Sequence, residues 1–216
     1  MIPAPSRRAA SPAIALMFML LLAACSGTGG GATPPPTVGP STGASAACPT
    51  SQPPALAGGE TRTVTIQTDK GAIAIKVQAD LSPIAAGNFV ALAGCAAYDG
   101  ATFYRTAGLP DGTPFVIQGG PPSGPGYTIQ DEPVTTPYKR GTVAMARTGD
   151  PNSVGSQFFI VLDDRDAGVL SSYNTYQIIG SVTSGMDAVD AIYAASGGQE
   201  QPANPIPMTK VTVSNP

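Results

Sequence analysis

The stretch GTVAMARTGDPNSVGSQFFIVL, residues 141–162, decides the fold. Both of its ends are short and apolar, and its middle is rich in Gly, Asp, Asn, Pro and Ser. Short apolar runs bounded by turn-forming residues are typical of β-strands. We therefore predict strands at 142–146 and 157–162.

Outward from this stretch, more short strands alternate with turn signals. The segments TVTIQT (63–68) and AIAIKV (72–77) alternate in polarity on either side of Asp69-Lys70-Gly71, which predicts a β-hairpin. Further strands are predicted at 102–105, 115–118, 177–182 and 209–213.

Two helices are predicted among these strands. Ser82 and Pro83 suit the N-cap and first position of a helix that runs to about Cys95. A second helix is predicted at 186–195, where apolar residues recur on one side. Many short strands with two helices predict a β-barrel or β-sandwich whose openings the helices cover.

Five segments of this region resemble the cyclophilin family of peptidyl-prolyl cis-trans isomerases. The most specific is 141–162, where GSQFFI follows MAR and DPNS. The resemblance implies a mainly β domain at 60–216: a closed eight-stranded antiparallel barrel capped by two α-helices. The other matching segments are YDGATFYR (98–105), FVIQGG (115–120), SPIAAGNFVAL (82–92) and IIGSVTSGMDAVDAI (178–192).

The same resemblance implies a substrate groove and its residues. Arg105, Phe115 and Gln118 occupy the family's catalytic positions. Taken singly, an arginine in a strand is usually a surface charge and a phenylalanine usually belongs to the core, but their order within the motifs favours a function. The implied substrate-binding residues are Val116, Ala146, Arg147, Gln157, Phe159, Leu170 and Tyr176.

The sequence departs from the family's pattern at several places. Tyr104 stands where a His usually precedes the arginine, and the connection 106–114 is longer than usual. Val169 stands at the position of the Trp in cyclosporin-sensitive members, so strong cyclosporin binding is not expected. The segment 167–177 is also longer than the family's pattern.

The chemistry of X-Pro bonds explains these residue types. Amide resonance imposes a rotation barrier of about 18–20 kcal/mol. Rotation frees the nitrogen lone pair, so a cation over that nitrogen, here Arg105, binds the twisted state better than the planar states. This mechanism needs no nucleophile, metal or cofactor, and we expect none. The chain has no histidine, which removes His-based zinc sites and catalytic triads.

The N-terminus predicts export and lipid attachment. Arg7 and Arg8 precede an apolar run at 13–24, too short for a membrane span but suited to a signal peptide. The run ends in Leu22-Ala23-Ala24-Cys25, which resembles the lipobox of bacterial lipoproteins. We expect a signal peptide at 1–24 and a lipid anchor at Cys25, on the outer face of the cytoplasmic membrane or on the outer membrane. The alternative is an ordinary secretory signal with an incidental cysteine.

Residues 25–59 predict a flexible tether. Of these 35 residues, 30 are Gly, Pro, Ser, Thr or Ala, and none is charged. The triplet PPP at 34–36 could instead be a polyproline ligand, although the composition favours a spacer. If Cys25 carries lipid, Cys48 and Cys95 can form a disulfide in an oxidising compartment, or they are two free thiols.

Two classes of function remain open at this point. The first is a lipid-anchored, monomeric isomerase that acts on proline-containing unfolded or flexible polypeptides and assists their folding. The second is a catalytically weak module that binds proline-containing segments of an envelope partner. A secreted protein of unrelated β fold is a third reading. Nucleic-acid binding is not expected, because only 12% of the residues are charged and no like-charged run reaches five.

Overall fold

The computed structural model describes residues 47–173 and 175–215. The predicted signal peptide, Cys25 and tether residues 25–46 lie outside the described residues. The strands are β1 (Thr61–Thr68), β2 (Gly71–Gln78), β3 (Thr102–Gly108), β4 (Pro114–Gly120), β5 (Thr142–Met145), β6 (Phe158–Val161), β7 (Ile178–Ser184), β8 (Ile206–Pro207) and β9 (Lys210–Ser214). The helices are α1 (Pro83–Gly94), α2 (Ala167–Tyr173) and α3 (Met186–Ala195), with a 3-10 turn at Asp164–Asp166 before α2.

The strands form one antiparallel sheet in the order β8-β3-β4-β6-β5-β7-β2-β1-β9. Residues 206–214, here called the closing segment, join its two edges, because β8 pairs with β3 and β9 pairs with β1. Between the two strands, the Met208 amide donates to the Ala101 carbonyl at 2.7 Å and the Thr209 amide to the Gln67 carbonyl at 2.8 Å. The predicted mainly β barrel is confirmed, with its last strand divided so that the described residues contain nine strands rather than eight.

α1 begins at Pro83 as the sequence predicts, and the hairpin begins two residues before its predicted start, but α1 is capped differently. Ser82 occupies the N-cap position, yet its hydroxyl makes no capping bond and has no partner among the described residues. The Glu132 carboxylate instead accepts hydrogen bonds from the Ile84 and Ala85 amides, both at 2.8 Å. A charged acceptor satisfies two of the free N–H groups at the helix start, which a single hydroxyl cannot do.

The barrel interior is filled by aromatic and branched side chains. Phe158 makes edge contacts with Phe89, Tyr98 and Phe103 at ring-centroid distances of 5.2, 5.7 and 5.9 Å. Because successive strand residues point to opposite faces, the next residue, Phe159, lies outside the barrel. There it belongs to a second apolar cluster with Ala107, Val116, Tyr138, Ala144, Val161, Leu170 and Ile178.

The described part of the predicted tether lies on α1. Cys48 and Cys95 form a disulfide with an S–S distance of 2.02 Å. The Leu56 amide donates to the Pro83 carbonyl at 3.1 Å, and a Cβ at Gly87 would clash with the Pro54 carbonyl. Residues 48–56 therefore follow the domain surface, whereas their composition alone predicts a free spacer.

Candidate active site

One cavity of about 850 Å³ lies on the outer face of the barrel, beside β3, β4, β6 and α2. Its walls also include the loops around residues 122–128 and 146–157. The cavity brings together all ten residues that the resemblance assigns to the groove, although they are spread from β3 to the segment that follows α2. They are Arg105, Phe115, Val116, Gln118, Ala146, Arg147, Gln157, Phe159, Leu170 and Tyr176.

An apolar slot forms the centre of the cavity. Phe159 and Leu170 are 4% and 3% exposed, so their side chains are held firmly by their neighbours. The ring of Tyr176 meets that of Phe159 edge-on at 5.3 Å, and the Tyr138 hydroxyl donates to the Tyr176 carbonyl at 2.9 Å. Phe115 packs against the same cluster. The slot is therefore built from two strands, α2 and the turn after it.

Arg105 lies beside this slot with its guanidinium held at two edges. Its Nε donates to Glu200 Oε1 at 2.7 Å, and Nη2 lies 2.7 Å from the same oxygen. Its Nη1 donates to Gln118 Oε1 at 3.3 Å, across the β3–β4 pair in which Arg105 and Gln118 are opposite each other. Each Nη nitrogen carries two hydrogens, so one on each remains available to a ligand.

Tyr104, a departure from the family's pattern, belongs to the site. Its hydroxyl accepts from Gln118 Nε2 and donates to Gln157 Oε1, both at 2.6 Å. Burial raises the pKa of Tyr104, so the hydroxyl keeps the proton that it donates. Gln118 Nε2 also lies 3.3 Å from Gln157 Oε1. With both of its N–H groups occupied, Gln118 presents its oxygen to Arg105.

Arg147 lines the cavity, but its charge is already engaged. The side chain is 9% exposed, and Nη1 donates to Asp131 Oδ2 at 2.9 Å. Its Nη2 donates to the Asp150 carbonyl at 2.6 Å and its Nε to the Thr148 carbonyl at 3.1 Å. Asp131 also accepts from the Asn152 amide at 2.9 Å. Arg147 therefore shapes the wall through the loop that it holds, and offers the cavity little free charge.

Several wall residues are not among those that the sequence assigns to the groove, although Val169 is one of the departures from the family's pattern. Val169 and Tyr173 are the exposed large apolar side chains of the described residues, at 38% and 63%, and both line the cavity from α2. Tyr127 lines the opposite side, where its hydroxyl donates to Asn88 Oδ1 at 2.8 Å. The run GPPSGPG at 120–126 precedes Tyr127 and is a sequence signal for this loop, which lines the cavity. Within 47–173 and 175–215, no group of three or more acidic or cysteine side chains could hold a metal.

A family model described as "Cyclophilin type peptidyl-prolyl cis-trans isomerase/CLD" matches residues 63–213. The chain belongs to the cyclophilin family. As a cyclophilin it is a peptidyl-prolyl cis-trans isomerase by family, and its groove occupies the outer face of the barrel described above.

Relatives of this cyclophilin carry the same activity in their names. It is 34% identical over 164 residues to a probable peptidyl-prolyl cis-trans isomerase of Brucella abortus, covering 70% of this chain and 82% of the relative. It is 31% identical over 164 residues to a peptidyl-prolyl cis-trans isomerase of Streptomyces antibioticus, covering 71% and 96%.

Solved cyclophilins share the fold. A cyclophilin-type isomerase of Cryptosporidium parvum superimposes with a TM-score of 0.61 at 27% identity, covering 72% of this chain and 99% of that one. A structure of the same protein in the presence of the dipeptide Ala-Pro gives a TM-score of 0.60 at 25% identity.

Proposed function

We propose that the cavity binds X-Pro segments of flexible polypeptides and that Arg105 accelerates rotation about the X-Pro bond. The observation that carries this proposal is that a partly exposed guanidinium and an apolar slot line the same cavity. The slot suits a proline ring, and Arg105 lines the cavity in which the ring's nitrogen would lie.

Arg105 stabilises the twisted transition state of the X-Pro bond. In the planar amide the proline nitrogen shares its lone pair with the carbonyl, and rotation localises that pair on nitrogen. An N–H group aimed at the nitrogen therefore binds the twisted state more tightly than either planar state, and this difference lowers the barrier. A guanidinium keeps its proton at physiological pH, so no acid–base step is required.

The apolar slot contributes in two ways. Phe115, Phe159 and Leu170 hold the proline ring while the preceding carbonyl turns. They also exclude water from one side of the bond, which strengthens the hydrogen bond from Arg105. Gln118 acts through Arg105: the Tyr104–Gln157 pair fixes its amide, and its oxygen then holds one edge of the guanidinium.

The substrates are proline-containing peptides and unfolded or flexible chains. The structure of the Cryptosporidium parvum relative in the presence of Ala-Pro supports this class. No cofactor or metal has a part in the proposed mechanism.

The N-terminus supports an extracytoplasmic location. A signal-type apolar run that ends in Leu-Ala-Ala-Cys favours lipid attachment at Cys25, so that exported or envelope proteins would be the clients whose folding is assisted. Within the described ranges, no helix has the length and apolar character needed to cross a bilayer.

Cys25→Ser should release the protein from membranes or leave the precursor uncut. Unchanged detergent partitioning and mature mass would contradict the anchor.

A protease-coupled assay on a short X-Pro peptide tests the activity. Wild type should accelerate the cis-to-trans step, Arg105→Ala should not, and Arg62→Ala should match wild type. Arg62 is a suitable control because it also pairs with a carboxylate, Glu60 at 2.7 Å, yet it does not line the cavity. Peptide binding without acceleration in wild type would favour the binding-module alternative.

A further inference from the structure

The segment after α3 returns to the groove by a built turn. Gly197 and Gly198 have φ of 60° and 81°, the left-handed region that glycine adopts without strain. The Ser196 hydroxyl accepts from the Gly198 amide at 3.2 Å, and the Gln199 amide donates to the Ser196 carbonyl at 3.1 Å. This turn reverses the chain at the end of α3 and sends it toward β3.

Two hydrogen bonds then fix the segment on β3 beside Arg105. The Thr106 amide donates to the Glu200 carbonyl at 2.9 Å, and the Thr106 hydroxyl donates to the Gln199 carbonyl at 2.7 Å. Thr106 is 3% exposed, so these bonds are shielded from water. The backbone of Glu200 is thus anchored to the residue that follows Arg105 in sequence.

The Glu200 carboxylate holds the edge of Arg105 that Gln118 does not. A single oxygen, Oε1, lies 2.7 Å from both Nε and Nη2, while Gln118 holds Nη1. A long arginine side chain has many rotamers, and holding a planar group at two edges fixes both its position and its plane. The hydrogens that remain on Nη1 and Nη2 are then directed by these contacts.

We propose that Glu200 is a positioning residue for Arg105, a role that rests on the function of Arg105 proposed above. The pair is accessible to water, with side-chain exposures of 35% for Arg105 and 61% for Glu200. Ion pairs of this kind add little to folding stability. Its effect is therefore expected in turnover, where the orientation of Arg105 matters, rather than in stability or peptide affinity.

Three variants test this role. Glu200→Ala should lower kcat/KM about fivefold, with the dissociation constant for an X-Pro peptide, measured by NMR titration, within about twofold of wild type. Glu200→Gln should recover most of the activity, because one oxygen accepts both contacts and an amide retains one oxygen. Asp190→Ala is the matched control: Asp190 also pairs with an arginine at 2.7 Å, with exposures of 40% and 50%, but outside the cavity.

The proposal is decided by the direction of the activity change in Glu200→Ala and by the effect of combining Glu200→Ala with Arg105→Ala. Activity of Glu200→Ala equal to or above that of wild type would overturn it, since a carboxylate that merely weakens the charge of Arg105 would slow the enzyme. A further loss when Glu200→Ala is added to Arg105→Ala would also overturn it, because a positioning residue has nothing to act on in that background. Arg105→Ala with wild-type activity would overturn the role of Arg105 itself, whereas an inactive Arg105→Ala beside a fully active Glu200→Ala overturns the role of Glu200 alone.

Discussion

Arg105 and Arg147 line the same cavity and differ in how much of each side chain is exposed. All three nitrogens of Arg105 contact Glu200 or Gln118, and about a third of the side chain is exposed. All three nitrogens of Arg147 also donate, to Thr148, Asp131 and Asp150, but that side chain is only 9% exposed. The residue that can act on a bound peptide is thus recognised by the accessibility of its donors and not by its place in the wall.

Removing Arg105 should have the largest effect of any change considered. We expect Arg105→Ala to lower kcat/KM about 100-fold, or about 3 kcal/mol of transition-state stabilisation, with the midpoint of urea unfolding unchanged. The reason is that about a third of the Arg105 side chain is exposed and its contacts are polar and few. If purified, folded Arg105→Ala isomerises an X-Pro peptide at nearly the wild-type rate, Arg105 has no catalytic role that distinguishes it from Arg147.

Removing the disulfide, which lies outside the cavity, should lower stability without changing activity and so serves as a reference for this comparison. Replacing Cys48 and Cys95 together by alanine opens a link between residues 47 positions apart. We expect the free energy of unfolding to fall by about 2–3 kcal/mol while kcat/KM stays within about twofold, because neither cysteine lines the cavity. Urea unfolding and the coupled assay measure the two quantities. Two alkylatable thiols in the unreduced wild-type protein would contradict the bond itself.

Replacing Arg147 should affect mainly stability, whereas replacing Arg105 should affect mainly activity. The expected effect of Arg147→Ala is also smaller. Arg147→Ala removes one donor each from the Asp131 carboxylate and from the Thr148 and Asp150 carbonyls, so we expect a stability loss of about 1–2 kcal/mol. The activity should fall less than tenfold, through disorder of the loop at 148–153. Arg165→Ala is the control, since that arginine also pairs with an aspartate but is 66% exposed. A large loss of activity with full stability would place Arg147 in the catalytic role instead.

A pH-dependent effect, on stability alone, is expected at the support beneath α2, the third wall of the cavity. Asp166 is 0% exposed, and one of its oxygens has no partner among the described residues. The pKa of Asp166 is raised to about 6, chiefly by burial; the nearby carboxylates of Asp163 and Asp111 also raise it, whereas the Asp163 amide and Arg165 lower it. The folded state therefore binds this proton more tightly than the unfolded state.

The resulting pH dependence has a definite sign. The contribution of protonated Asp166 is complete below the unfolded-state value near 4 and is lost as the pH rises through about 6. Asp166→Asn imitates the protonated form, so it should be close to wild type at pH 4 and exceed it by about 3 kcal/mol at pH 7, which corresponds to the rise of the pKa from near 4 to about 6. Urea unfolding of both proteins across this range measures the difference. Parallel curves for the two proteins would show that Asp166 does not titrate in this window.

Local sequence patterns were sufficient to predict most elements of the barrel. The hairpin and both long helices follow from alternation, Pro83 and apolar spacing, and their ends lie within a few residues of the predicted ones. The sequence does not predict α2, because its seven residues are few and begin without a conventional cap. The signal that could have found it is the Asp163…Asp166 capping box of the 3-10 turn before it.

The rest of the site depends on contacts that are distant in sequence. The motifs predict which residues share the cavity, but not what occupies their hydrogen-bonding groups. Glu200 reaches Arg105 across 95 residues, and Glu132 caps α1 across 48. No local pattern encodes such pairs. The sequence therefore predicts the members of the groove better than their roles, and those roles stay predictions until the variants above are measured.

The closing segment determines when the barrel can be completed. A ribosome or an export channel delivers the chain from its N-terminus. β1 therefore emerges well over a hundred residues before its partner β9, in which Val213 lies opposite Val64. During that interval the sheet has two open edges, at β1 and β3, whose unpaired N–H and C=O groups can pair with other chains. Closure therefore cannot precede the delivery of β9, and the nascent chain is most vulnerable to aggregation just before that strand emerges.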